Sequence, residues 1–143
     1  MNWRFLLSKN FTFAVFSYFC SVIIKGVKIL VLTETDACCG PMAAAFLRDY
    51  SVSNEVVSAG FNPSETIEPM VVMVMKECLI DLKGYMPQNI DRVDVSAFDA
   101  IYQCSERSCP NTIDAYRELR DFIKNEAYLF FRNIPPRSLT PIP

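Results

Sequence analysis

The fold of this chain can be predicted outward from one stretch, which reads Val27-Lys28-Ile29-Leu30-Val31-Leu32-Thr33-Glu34-Thr35-Asp36-Ala37-Cys38-Cys39-Gly40-Pro41-Met42. Residues 27–32 have the length and β-branched content of a buried strand, and Pro41 favours the start of a helix. A loop between a buried strand and a helix N-terminus is a common anion site, because free N–H groups and the helix dipole point there. Glu34 and Asp36 oppose that use, since carboxylates repel an anion.

The rest of the chain alternates between strand and helix patterns. Strands are predicted at residues 27–32, 55–59 and 98–103, and helices at 41–50, 69–78 and 112–131. This alternation indicates a parallel sheet covered on both faces, with right-handed crossovers. We therefore predict a flavodoxin-like, three-layer α/β/α fold in which the loops after the first and third strands share the carboxyl edge of the sheet.

The amino-acid composition of the chain limits the classes of function that it can have. With 143 residues and an apolar fraction of 51%, the chain can form one domain with a substantial core. A net charge of −2 gives no basic face for nucleic acid. The chain has no histidine, which excludes Ser-His-Asp and Cys-His catalysis.

The two ends of the chain differ from its middle. Residues 1–26 contain an apolar run, 11–24, that is shorter than the roughly 20 residues needed to span a bilayer. Three interpretations stay open: an extension ahead of the true domain start, a signal peptide, and an anchor that associates with a membrane. Residues 133–143 are proline-rich and predicted to form a loose tail, which leaves residues 27–132 as the domain.

The cysteines allow more than one interpretation. They are Cys20, Cys38, Cys39, Cys78, Cys104 and Cys109. Their irregular spacing favours reduced thiols and a cytoplasmic location over a disulfide framework. A zinc site in the two loops is the alternative, although adjacent cysteines chelate poorly. We predict no metal and no other cofactor.

Four stretches, taken in order, carry a family resemblance. They are residues 31–45, Val57-Ser58-Ala59-Gly60, residues 68–84 and residues 99–110. Together they resemble the low-molecular-weight protein tyrosine phosphatases and the thioredoxin-coupled arsenate reductases, which share one fold. The resemblance covers about residues 27–132.

The resemblance implies a loop of the form Cys-x5-Arg. The family's cysteine attacks as a thiolate, while the arginine and backbone amides hold the oxyanion. With Pro41-Met42 as the anchor, the nucleophile position falls on Thr33 and the arginine position on Cys39. The loop residues that would surround a phosphate- or arsenate-like oxyanion are Glu34, Thr35, Asp36, Ala37 and Gly40.

These substitutions predict a degenerate, catalytically inactive family member. Threonine has a far higher pKa than cysteine and no base at hand, and Cys39 supplies no positive charge. The family's fourth strand and its Asp-Pro loop are also missing, because the last helix begins soon after Pro110. The missing strand predicts an exposed edge on the third strand, where a protein partner or a second copy could pair.

The alternative is a rearranged thiol site. Cys104 and Cys109 stand where the arsenate reductases carry redox cysteines, and Cys38 or Cys39 could complete a relay. That alternative implies arsenate reduction with thioredoxin as partner, or residual tyrosine phosphatase activity through Cys38 or Cys39. The acidic loop opposes both, since a low-pKa thiol needs a positive environment.

Overall fold

The computed structural model describes residues 26–104 and 108–135. Within them lie three strands, β1 (Lys28–Thr33), β2 (Glu55–Gly60) and β3 (Ala100–Gln103), and three helices, α1 (Cys39–Tyr50), α2 (Pro69–Lys76) and α3 (Ile113–Asn133). Two 3-10 turns, Ile90–Arg92 and Val95–Ala97, precede β3. The order of predicted strands and helices is confirmed. The apolar run 11–24 and most of the proline-rich tail lie outside the described residues.

The sheet is parallel, with β1 between β2 and β3. Thr33 at the end of β1 pairs with Gly60 at the end of β2, and Leu32 pairs with Gln103. The three carboxyl ends therefore meet at one edge, as predicted. The order β2-β1-β3 agrees with the flavodoxin-like α/β fold.

The two faces of the sheet are covered differently. Ile29 and Val31 are fully buried in a core that all three helices share. On the opposite face, Leu30, Leu32 and Ala59 pack against apolar residues of the 3-10 segment: Ile90, Val93 and Phe98. The third layer of the predicted arrangement is thus built, within the described residues, from 3-10 turns.

Local interactions set the helix boundaries. Helix α1 begins at Cys39, so Pro41 lies in its first turn, where a missing N–H is tolerated. Helix α2 ends at Lys76, two residues earlier than predicted, because Leu79 is left-handed at φ 62° and the Ile80 N–H bonds the Met75 carbonyl at 3.1 Å. Thr112 caps α3 as predicted, its Oγ1 accepting from the Ala115 N–H.

Strand β3 has a free edge in the described part of the chain. It pairs with β1 alone, and residues 104–112 then lead to α3 with no further strand among the described residues. Ile101 on this strand is 46% exposed. In the same ranges, 26–104 and 108–135, no helix is both long and apolar enough to cross a membrane.

Candidate functional site

A cavity of about 390 Å³ opens at the carboxyl edge of the sheet, between the loop after β1 and the loop after β3. Its lining residues are Thr33, Glu34, Thr35, Cys38, Cys39, Cys104, Ser108 and Cys109. The structure thus brings seven of the ten predicted site residues to one cavity. The other three, Asp36, Ala37 and Gly40, are buried in or beside the loop.

The backbone of the loop after β1 is held on one side by hydrogen bonds. Four of its carbonyls, those of Thr33, Glu34, Thr35 and Ala37, accept hydrogen bonds from the segment 61–68. In a trans peptide the carbonyl and the following N–H point in opposite directions, and no peptide bond here is cis. The N–H groups that follow these carbonyls therefore point away from that segment.

Thr33 occupies the position that the resemblance assigns to the nucleophile. Its Oγ1 accepts a hydrogen bond from the Asp36 N–H at 3.0 Å. The N–H group of Asp36, one of the loop amides, is thus already bonded to a side-chain oxygen of the protein. Within the described part of the chain, no positively charged side chain lines the cavity with Thr33, and the one carboxylate that does, that of Glu34, accepts a hydrogen bond from the Asn62 amide.

Asp36 does not face the cavity, which corrects the expectation that it repels an anion there. The residue is fully buried, with a left-handed φ of 50°. Its carboxylate accepts hydrogen bonds from the Ser58 hydroxyl, from the Tyr85 hydroxyl at 2.7 Å and from the Gln88 N–H at 3.0 Å. Asp36 therefore ties the loop to β2 and to the segment after α2.

Because Asp36 is buried, its contribution to the stability of the fold depends on pH. Removal from water raises the pKa of Asp36 above its ordinary value of 3.8, against the lowering effect of its three donors. A raised pKa means that the folded protein prefers the neutral carboxyl. The stabilisation that the neutral Asp36 carboxyl gives to the folded protein is complete below pH 3.8. It is lost as the pH rises through the pKa that Asp36 has in the folded protein.

Asp36→Asn is accordingly expected to stabilise the protein at neutral pH by about 1 kcal/mol, because asparagine has the shape of the neutral carboxyl and tolerates a left-handed backbone. The advantage should shrink as the pH falls toward 4. Urea unfolding of both chains across this pH range measures it. Asp36→Ala is the control: it leaves three donors without their acceptor and should destabilise at every pH.

Sequence reasoning missed the residues that hold the loop, namely Ser58, Tyr85 and Gln88. A signal for Ser58 was present, since a polar residue inside an apolar strand needs a buried partner.

Gly40 lies next to the hydrogen bonds that join Asp36 to Ser58 and to Thr33. A Cβ there would lie 2.7 Å from the Ser58 Oγ and 3.0 Å from both Asp36 Oδ1 and Thr33 Oγ1. Glycine at this position lets the helix start approach the network.

The described residues that line the cavity include one acidic side chain and no basic one. Glu34 lines it, and the Glu34 carboxylate accepts a hydrogen bond from the Asn62 amide. Among the lining residues that fall within 26–104 and 108–135, none is a lysine or an arginine. The arginine position of the resemblance is filled by Cys39, which is 8% exposed. Among these described side chains, an oxyanion would meet a carboxylate without a compensating cation.

The four cysteines of the two loops are neighbours in space. Cys38, Cys39, Cys104 and Cys109 all line the one cavity, and all but Cys109 are buried. Hydrogen bonding to Cys39, followed by burial, raises the pKa of both Cys38 and Cys104 well above that of a free thiol. Both are therefore protonated at neutral pH, which makes them poor nucleophiles.

These thiols form neither a bridge nor a metal cluster in the described residues. No disulfide joins any of the five cysteines within residues 26–104 and 108–135. In that part of the chain, no group of three or more His, Cys, Asp or Glu side chains is arranged to hold a metal ion. Cys78 is the one described cysteine that does not line the cavity.

Comparison with known proteins gives a family and a set of similar folds. Residues 28–131 match the family described as low molecular weight phosphotyrosine protein phosphatase. No curated protein sequence matches the chain.

Solved structures share the fold at low sequence identity. An arsenate reductase in the phosphate binding state is 18% identical, with a TM-score of 0.67 over 76% of this chain and 99% of that one. Wzb from Vibrio vulnificus, in complex with benzylphosphonate, is 17% identical, with a TM-score of 0.65 over 74% and 97%. The YwlE arginine phosphatase from Geobacillus stearothermophilus is 18% identical, with a TM-score of 0.66 over 74% and 91%.

Proposed function

Because the chain belongs to the low-molecular-weight phosphotyrosine protein phosphatase family, we propose that it is a member that keeps the family's loop without its oxyanion chemistry. The observation that carries this proposal is the set of described residues that line the cavity, which holds a carboxylate and no cation. Phosphoryl and arsenyl transfer both need positive charge on the oxyanion and an activated nucleophile. Neither requirement is met by the described side chains that line the cavity.

The nucleophile position supports the same conclusion. The Thr33 hydroxyl oxygen already accepts a hydrogen bond from the Asp36 N–H, and the carboxylate nearest in sequence, that of Glu34, is hydrogen-bonded to the Asn62 amide. The nearby thiols of Cys38 and Cys104 are held in their neutral form. Weak binding of a phosphate-like oxyanion to the loop amides is the most that we propose. A cytoplasmic location remains a prediction from the cysteine content.

The alternative, thiol-dependent arsenate reduction or tyrosine phosphatase activity, has one observation in its favour. Cys38, Cys39, Cys104 and Cys109 do line a single cavity. Such a reaction needs an attacking thiolate, and the raised pKa of the Cys38 and Cys104 thiols opposes one. We therefore place this alternative second.

The test is turnover by the full chain, with an aryl phosphate as one substrate and thioredoxin-coupled arsenate as the other. The natural chain is expected to turn over neither substrate faster than its Cys39→Ser variant does. Cys78→Ser is the matched control, since Cys78 lies outside the cavity. Turnover that Cys39→Ser or Cys38→Ser abolishes and Cys78→Ser preserves would contradict the proposal.

The outer edge of β3, which pairs with no other strand in the described part of the chain, supports a second part of the proposal, which is pairing with a protein partner or with another copy of the chain. Unpaired N–H and C=O groups along a parallel strand are a template for a further strand. Replacing Ile101, which is 46% exposed on this edge strand, by Lys should abolish such pairing. Light scattering of both chains over a range of concentrations measures it, and equal masses at every concentration would argue against self-association.

A further inference from the structure

Apolar side chains are grouped at the end of the fold opposite the cavity. Tyr50 ends α1 and Phe131 lies in the last turn of α3, and both helices run from the carboxyl end of the sheet to its amino end. The Tyr50 ring packs against the rings of Tyr128 and Phe131, with centroids 5.6 Å and 6.0 Å apart. We call the group formed by Tyr50, Val52, Tyr128, Phe131 and Ile134 the amino-end rim.

The described residues cover the amino-end rim only in part. Val52, two residues after Tyr50, is fully exposed, and Tyr128 is 48% exposed. Tyr50, Phe131 and Ile134 are half-buried at the margin of the main core. A single exposed apolar residue is ordinary on a protein surface, whereas a contiguous apolar group marks a surface that binds something.

The described part of the chain begins beside this rim. A Cβ on Gly26 would overlap the carbonyl group of Ser53, and the Val27 N–H donates to Asn54 Oδ1 at 3.3 Å. Both contacts hold the start of the described chain against the turn 51–54, which carries Val52. Residues 1–25, which lie outside the described ranges, therefore join the domain next to the amino-end rim.

The apolar run 11–24 has the composition that the rim requires. It contains no charged residue, and its aromatic residues are Phe11, Phe13, Phe16, Tyr18 and Phe19. Only Lys25 separates it from Gly26. A segment linked so closely has an effective concentration on the order of millimolar at its binding surface, so an apolar contact too weak to hold a separate molecule is enough to hold this one.

We propose that the amino-end rim is the docking surface for the run 11–24 of the same chain. The contact is apolar and aromatic, and its driving force is the removal of these side chains from water. It lies at the end of the sheet away from the cavity, so it does not depend on the fate of the oxyanion chemistry. A lipid bilayer and a second copy of the chain are the competing partners of these surfaces.

Limited proteolysis of the full chain with chymotrypsin, in buffer without lipid or detergent, tests the docking. Chymotrypsin cleaves after aromatic residues, so a docked run 11–24 should be cut slowly. Val52→Asp places a charge on the rim at a fully exposed position. Cleavage within 11–24 should then become roughly fivefold faster, because it follows the population of the undocked segment. Mass spectrometry of the fragments assigns the cuts.

Met86→Asp is the matched control. Met86 is 69% exposed and lies between Tyr85 and Gln88, which bond Asp36 at the carboxyl end of the sheet. The same charge at that end should leave the cleavage of 11–24 unchanged.

Phe16→Asp combined with Phe19→Asp tests the contact from its other side and leaves the described domain unaltered. Amide hydrogen exchange in residues 47–55 and 124–134 should be faster in this double variant than in the natural chain, whereas exchange in α2 should be the same. A Val52→Asp chain that failed to fold would be cut throughout, and the exchange measurement then decides.

Equal cleavage of 11–24 in the natural and Val52→Asp chains would overturn the proposal, as would equal exchange in the natural chain and the double variant. Protection of 11–24 that increases with protein concentration would assign the rim to a second copy. Protection that arises only when phosphatidylcholine vesicles are added would assign the run to a bilayer. Either of these results also contradicts docking within one chain.

Discussion

Replacing Thr33 by Cys and Cys39 by Arg in one chain is expected to convert the loop into an oxyanion site. Arginine at position 39 would bring a guanidinium to the cavity, where it can bind a phosphate oxygen pair in a charge-assisted, bidentate manner. Such a pair contributes about 3 kcal/mol, so phosphate should bind roughly a hundredfold more tightly than to the natural chain. Isothermal calorimetry with inorganic phosphate measures the difference.

The two single variants show how much each substitution contributes to the gain in phosphate affinity. Cys39→Arg alone should supply most of the binding, and Thr33→Cys alone should supply little, because charge rather than the nucleophile holds the anion. Glu34→Gln added to the double variant should strengthen binding further, since it removes the lining carboxylate. A folded triple variant that still fails to bind phosphate would show that the loop amides do not form an anion cradle.

Gly60→Ala is expected to be among the most destabilising small substitutions in the chain. Gly60 ends β2 opposite Thr33, and the loop after β1 crosses directly over it. A Cβ there would lie 2.7 Å from the Glu34 carbonyl oxygen and 3.0 Å from the Asp36 nitrogen, both of them backbone atoms. Backbone cannot move aside as a flexible side chain can, so the free energy of unfolding should fall by about 3 kcal/mol. Urea denaturation measures this loss.

Gly84→Ala serves as the matched control. Gly84 has a φ of 82°, and a Cβ added there meets no atom within 4 Å. Alanine at this position therefore adds backbone strain without a clash, at about 1 kcal/mol. If Gly60→Ala were no more destabilising than Gly84→Ala, the close passage of the loop over β2 would not be a constraint on the fold.

Much of the fold followed from local patterns in the sequence. The apolar, β-branched run before Thr33 predicts β1 because a strand buried on both faces needs that composition. The spacing of Tyr116, Leu119 and Ile123 predicts the inward stripe of α3, and all three are buried. The end of α2 could not be placed in the same way, since it depends on a left-handed Leu79 that no local rule favours.

The sequence by itself determined the chemistry present at the site: Thr33 and Cys39 where the family has a nucleophile and an arginine, and a carboxylate at Glu34. Only the tertiary structure decided where Asp36 points, because its three donors lie 22, 49 and 52 residues away along the chain. The position of four cysteines around one cavity depends in the same way on two loops brought together by parallel pairing. The type of each residue can be read directly from the sequence. The direction of a buried polar side chain in a loop depends on which residues, distant along the chain, can form hydrogen bonds with it.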